Sequence, residues 1–206
     1  MPTPDWDDHY ASGNLPWDSG EPEPHLVEAV ERGLVTPGRT LEVGCGTGTN
    51  ALWLASRGFE VLGIDIAPRA IAAANAKAEA AGARVQFRVL DFLTAEVEQA
   101  PFEFVFDRGV FHVFDEAETR AQFARQVGRM LATGGHWLSI AGSTEGPARD
   151  HGPPRRSARD LVEAVEPVLE IIELRTAAFD GGLAKAWQLL TRAREIPAQP
   201  STRRTA

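Results

Sequence analysis

Leu41-Glu42-Val43-Gly44-Cys45-Gly46-Thr47-Gly48-Thr49-Asn50 is the stretch that decides the fold. Thr40 to Val43 reads as a short buried strand, three alternate glycines interrupt it, and an apolar-periodic helix follows from about Asn50 to Ser56. Strand, glycine loop and helix form the opening unit of an open parallel sheet. Such sheets bind ligands in the crevice beyond the strands' carboxyl ends, where a glycine backbone can approach atoms that a Cβ would repel. The spacing is Gly-x-Gly-x-Gly, whereas the dinucleotide pattern asks for glycine or alanine where Thr49 stands, which argues against NAD. Glu42, two places before the first glycine, is out of place beside a diphosphate and suits a ligand that carries a free ammonium group.

The alternation continues downstream. Glu60 to Ile64 is a strand, Pro68 suits the first turn of a helix, and Ile71, Ala74, Ala78 and Ala81 mark that helix's inner face. Val85 to Val89 and Phe102 to Phe106 are the third and fourth strands. Phe123, Val127, Met130 and Leu131 stripe a helix that Thr133-Gly134-Gly135 ends, and His136 to Ala141 is the fifth strand. Beyond a Gly/Pro-rich loop over 142–154, Ser157 can cap a helix running to about Val165, and strands near Leu169–Ala178 and Ala184–Thr191 finish the domain. Strands alternating with helices predict an α/β fold, doubly wound, with a mainly parallel sheet covered on both faces.

Upstream, residues 1–23 read as a loose leader, and residues 1–31 hold eight acids with no Lys or Arg. A helix starts at Pro24, with Leu26, Val27, Val30 and Leu34 at helical spacing. The domain is expected over 24–195, with 196–206 a polar, disordered tail. The chain's 206 residues, 43% apolar and 24% charged, make one domain. No apolar run approaches the roughly 20 residues of a membrane span, and the acidic start is not a signal peptide. One cysteine, Cys45, excludes an internal disulfide and suits a reducing, cytoplasmic setting. No Cys/His set for zinc is present, and a net charge of −8 would repel nucleic acid. The expected partner is a small molecule, and the expected state a monomer.

Two further acids extend the pattern. Asp65 closes the second strand, 21 residues beyond Gly44, where a carboxylate can accept both hydroxyls of a ribose. Asp91-Phe92 follows the third, offering an acceptor for an adenine amino group beside an aromatic face. Taken with the Glu-x-Gly-x-Gly-x-Gly loop, residues 24–192 resemble the class I S-adenosylmethionine-dependent methyltransferases. The resemblance implies a seven-stranded, Rossmann-like sheet of order 3-2-1-4-5-7-6, the seventh strand antiparallel. It implies that Gly44, Gly46 and Gly48, with small Cys45 between them and Glu42 below, line the cofactor's methionine part. Asp65 with Ile66 would hold the ribose, and Asp91 with Phe92 the adenine. Leu15-Pro16-Trp17-Asp18-Ser19-Gly20-Glu21-Pro22 and Phe106-Asp107-Arg108-Gly109 are similar to the branch of thiopurine, thiol and halide methyltransferases. In that branch the leader folds over the cofactor as a lid, Trp17 walls the site, and Asp107 touches the methionine end. Arg108 there lies beside the acceptor.

Methyl transfer from a sulfonium is an in-line displacement, so it asks mainly for alignment in a dry pocket. Trp17, with Tyr10 or Phe111 behind it, can face the cation or merely pin the leader. His112 can serve as a general base for a hydroxyl acceptor or bond to nearby backbone. Arg108 can meet an anionic acceptor or an internal acid, and Asp107 can touch the cofactor or cap its turn. The loop bearing Arg149, Asp150, His151, Arg155 and Arg156 is either a lid or a solvated connection. A sulfur acceptor leads the expectations. Oxygen or nitrogen methylation with His112 as base, or non-catalytic binding of S-adenosylmethionine or S-adenosylhomocysteine, stand as alternatives.

Overall fold

Alternating apolar strands and capped helices do assemble as a doubly wound sheet. The computed structural model describes residues 6–147, 152–179, 182 and 184–194. Its elements are α1 (Trp6–Ser12), α2 (Pro24–Glu31), β1 (Arg39–Val43), α3 (Thr49–Ser56), β2 (Glu60–Asp65), α4 (Pro68–Ala81), β3 (Gln86–Val89), β4 (Phe102–Arg108), a 3-10 turn (Phe111–Val113), α5 (Ala117–Met130), β5 (Leu131–Gly142), α6 (Ala158–Val165), β6 (Leu169–Phe179) and β7 (Ala184–Ala193). The seven-stranded sheet runs β3-β2-β1-β4-β5-β7-β6, with β7 antiparallel to both neighbours. Strand order therefore reverses between β1 and β4, which opens the ligand crevice there.

Both faces are covered, so the central strands are apolar almost throughout. On one face Leu41, Val43, Val105 and Trp137 pack with Phe123 and Val127 of α5 and Leu161 and Val165 of α6. On the other, Val61, Phe104, Phe106 and Leu138 pack with Leu26 and Ala29 of α2 and Ala51 and Leu54 of α3. Ser157 and Asp160 close a reciprocal capping box that starts α6. No helix among the described residues is long and apolar enough to cross a membrane.

Two elements differ from the sequence reading. Leu131 does not extend the α5 stripe: the helix stops at Met130 because Leu131 turns extended, with φ −78° and ψ 138°. Thr133-Gly134-Gly135 lies instead within β5, where Phe102 pairs with Leu131 and Phe104 with His136, so the intervening residues bulge. The leader, expected to be loose, contains α1, a helix with no buried residue. It lacks the apolar stripe by which periodicity finds helices. The expected tail over 196–206 lies outside the described residues, as do Arg149, Asp150 and His151.

Candidate functional site

The floor of the crevice is the glycine loop. Cys45 N–H donates to the Ile64 carbonyl at 2.9 Å, and Gly48 N–H returns to Cys45 O at 2.9 Å, closing the turn before α3. Two glycines are fixed by what lies above them. Gly44 has φ 65°, and a Cβ there would collide with a Val110 methyl. Gly46 has φ 53°, and its Cβ would sit 3.0 Å from the Tyr10 hydroxyl. Below the loop Glu42 is 2% exposed. Its Oε1 accepts from Asn50 Nδ2 at 3.2 Å, while Oε2 is buried and lacks a hydrogen-bond partner. Burial, opposed by the Asn50 amide and the Ala51 backbone N–H, pushes this carboxyl up to about 8.

Asp65 stands at the rim, 8% exposed, its Oδ2 accepting from Gly46 N–H and its Oδ1 from Ala67 N–H, each at 2.9 Å. Burial raises its carboxyl above the ordinary range against the pull of those two N–H groups. Beside it Ile66 is 50% exposed, and Val89, paired with Asp65 across β2 and β3, is 47% exposed. Val89 escaped the sequence reading because nothing in a strand pattern says that its last apolar residue stays open.

Three residues that the sequence offered as cofactor contacts are engaged within the protein. Phe92 turns its ring inward, 4.8 Å from that of Phe123, and joins the core. Phe111 likewise packs on Phe123 and Trp137. Asp107 is 0% exposed: Oδ1 accepts from Trp137 Nε1 at 2.9 Å, and Oδ2 from Val110 N–H at 3.1 Å and Phe111 N–H at 3.0 Å. It holds the β4 turn from within, and burial raises its carboxyl too. Asp91 is exposed and anchors its own turn, accepting from Leu93 N–H at 3.0 Å and Thr94 Oγ1 at 3.2 Å.

Arg108 and His112 also face protein. Arg108 Nε donates to Glu23 Oε2 at 2.6 Å, Nη1 donates to Trp17 O at 3.0 Å, and the guanidinium lies 5.0 Å from the Phe179 ring centre. His112 Nδ1 accepts from Gly142 N–H at 2.6 Å. That bond occupies the Nδ1 lone pair and sets the ring's orientation. Arg155 donates to the carbonyls of Ser143, Thr144, Glu145 and Gly146, and Arg156 pairs with Asp115 at 2.6 Å. Both arginines thus fasten the loop after β5.

The leader closes over this floor, held by three acids. Asp7 accepts from Arg69 N–H at 2.8 Å, at the start of α4, and pairs with the Arg69 guanidinium. Asp18 accepts from Thr47 Oγ1 at 2.7 Å, and Lys77 Nζ reaches the same hydroxyl at 2.5 Å. Glu23 takes Arg108. Between these fixings, the Trp17 ring meets Trp6, His9 and Tyr10 at 5.4 to 6.3 Å. Burial first, and then the charge of Asp65, hold the Tyr10 hydroxyl above its usual range, as expected of a ring laid over the loop.

The profile of the family described as Thiopurine S-methyltransferase matches residues 1–179. The chain is 32% identical over 151 residues to the probable thiol methyltransferase 2 of Arabidopsis thaliana, covering 72% of this chain and 65% of that protein. It is 32% identical over 126 residues to a 2-heptyl-1-hydroxyquinolin-4(1H)-one methyltransferase of Mycobacteroides abscessus, covering 61% and 55%. The matched stretches thus span less than two thirds of either relative. A structure solved in work on the conversion of a disulfide bond into a thioacetal group during echinomycin biosynthesis superposes with a TM-score of 0.76 at 29% identity, covering 86% and 84%. With a profile matched across the leader, the glycine loop and most of the sheet, the chain belongs to the thiopurine S-methyltransferase family.

Proposed function

We propose that this chain transfers the methyl group of S-adenosylmethionine to a sulfur or similarly soft nucleophile on a small molecule. One observation carries the cofactor assignment: Glu42 Oε2, buried and unpartnered directly beneath the glycine loop. A buried carboxylate oxygen without a donor is costly, and the α-ammonium of the cofactor supplies the missing donor and a compensating charge. The rest of the floor fits the same ligand. Asp65 offers acceptor oxygens at the rim for the ribose, and Ile66 and Val89 offer open apolar surface where the adenine would lie. When bound, the sulfonium makes its methyl group electrophilic toward a lone pair aligned behind it. Tyr10 lies over the loop with Trp17 packed edge-on against it, and together they exclude water and present aromatic faces to a cation.

A sulfur acceptor is favoured because no base is needed. With Nδ1 of His112 taken by Gly142 N–H, the ring serves as a positioning group in this reading. A thiol of pKa about 8.5 is a few per cent thiolate at neutral pH without help. The name of the Arabidopsis relative supports the same choice. Likeness to the hydroxyquinolone enzyme favours oxygen methylation as the second reading. The test is transfer of labelled methyl from S-adenosylmethionine across thiols, hydrosulfide, halides, catechols, amines and hydroxyquinolones. Fastest turnover is expected with the thiols. Turnover confined to hydroxyl acceptors would move the assignment to oxygen, and tight cofactor binding without turnover on any of them would leave a binding protein.

A further inference from the structure

We propose that Asn50 is a positioning residue that couples occupation of Glu42 to closure of the lid. The inference rests on the reading of Glu42 as the ammonium site and adds how that site reports on the leader. Asn50 stands in the first turn of α3 and bridges two buried acids. Its Nδ2 donates to Glu42 Oε1 at 3.2 Å, and its Oδ1 accepts from Glu23 N–H at 2.8 Å. Glu23 is where the chain passes from leader to α2. Its Oε1 accepts from His25 N–H at 3.2 Å, capping that helix, and its Oε2 accepts from Arg108 Nε at 2.6 Å. Arg108 in turn donates to the carbonyl of Trp17 at 3.0 Å. An unbroken run of hydrogen bonds therefore joins the floor of the site to the aromatic anchor of the lid.

The amide suits this place because it carries a donor and an acceptor on opposite sides of one rigid plane, which no carboxylate or hydroxyl does. When an ammonium pairs with Glu42 Oε2, the carboxylate is held ionised. The bond from Asn50 Nδ2 to Oε1 then becomes charge-assisted and shorter. Drawing Nδ2 down polarises the amide and strengthens Oδ1 as acceptor, so the Glu23 N–H is gripped more tightly. Fixing Glu23 fixes the direction in which residues 6–22 leave α2, and with it the seat of Trp17 on the loop. A ligand that fills the adenosine site without an ammonium leaves Oε2 unpartnered and sends no such signal.

Hydrogen–deuterium exchange on the intact chain tests this, using S-adenosylhomocysteine and its deamino analogue, which lacks only the α-amino group. At saturation the first should slow amide exchange over residues 6–20 by about tenfold and the second by less than about twofold, within the range of ordinary site-to-site coupling. Asn50→Asp keeps the acceptor for Glu23 and loses the donor to Glu42. It should still bind S-adenosylhomocysteine, with a lowered melting temperature because buried Glu42 loses the Asn50 donor and faces a second acid, yet gain no lid protection. Asn50→Ala should behave alike, and serves if the aspartate variant fails to fold. Equal protection by both ligands in the wild type, or full protection in either variant, would overturn the coupling while leaving the cofactor site standing. Failure of the wild type to bind S-adenosylhomocysteine at all would overturn both.

Discussion

Asp65 is the last residue of β2 and Asp107 lies one residue before the end of β4, the parallel strands that flank β1 on either side, and they meet different surroundings. Pairing explains the difference: Val43 lies level with Ile64 on one neighbour and with Asp107 on the other. Relative to β1, Asp65 is therefore one residue above the last paired rung and Asp107 is on it. One step, about 3.3 Å along the strand, separates an acid at the lip of the crevice from an acid sealed in the core. Each is ringed by donors. Those of Asp65 come from the glycine loop and the α4 entry, whereas those of Asp107 come from the β4 turn and Trp137. An acid near a strand's carboxyl end thus lies at the lip or in the core according to its height in the sheet, and the proposed ribose role of Asp65 depends on the first.

Removing each acid separates the two roles, and the largest effect is expected inside. Asp107→Ala leaves the Trp137 indole N–H and two turn N–H groups buried without an acceptor, and should cost about 3 kcal/mol of stability, read by urea unfolding. Asp65→Ala should change stability by less than about 1.5 kcal/mol while weakening S-adenosylhomocysteine about 100-fold by calorimetry, the scale of lost charge-assisted hydrogen bonds. If the two variants lose stability alike, or if Asp65→Ala binds like the wild type, the distinction by height fails.

Glu42 sits on β1 between them and sharpens the comparison through pH. Its folded-state value lies above its unfolded one, so its protonated form is the one the fold prefers. The stability it permits is full below about 4.3, the ordinary glutamate value, and is lost as pH rises through about 8. The melting temperature of the ligand-free protein should fall over that window, and Glu42→Gln, which cannot ionise, should flatten the fall. The same variant should bind S-adenosylhomocysteine about 30-fold more weakly, the cost of losing one charged hydrogen-bonding partner. A slope unchanged by the substitution would mean that other groups set the pH response.

How much of this was legible in the sequence follows the same line. Glycine spacing and apolar period gave the loop and the alternation of strands and helices; the strand order came with the resemblance, and Glu42 stood out by its place before the first glycine. Periodicity assigns a side chain to a face, but it carries no information on height, so the sequence left Asp107 between cofactor contact and turn cap and set Phe92 beside the adenine, whereas the fold buries the first level with Val43 and packs the second on Phe123. The leader was marked by its acidity and by the resemblance of Leu15 to Pro22. The partners of its acids lie 62, 29 and 85 residues away along the chain, at Arg69, Thr47 and Arg108, and only the folded sheet gathers them. Asn50 was quoted as the start of a helix, because a bridge between two acids exists only once both are in place.

Asp91 is the intermediate case and carries the smallest expected effect. Just beyond the end of β3, it is exposed like a ligand group yet engaged like a cap, with one bond to Leu93 N–H and one to Thr94 Oγ1. A carboxylate has about four lone-pair positions, so those two bonds leave it able to accept from an adenine amino group as well. Asp91→Ala should therefore weaken S-adenosylhomocysteine only about fivefold, one neutral donor's worth, and lower stability by less than about 1 kcal/mol. Inosine in place of adenosine in the ligand removes the amino group, and the wild type and the variant should then bind alike. A persistent gap between them on the inosine ligand would show that Asp91 acts through its turn alone, and would place it with Asp107 on the structural side of the divide.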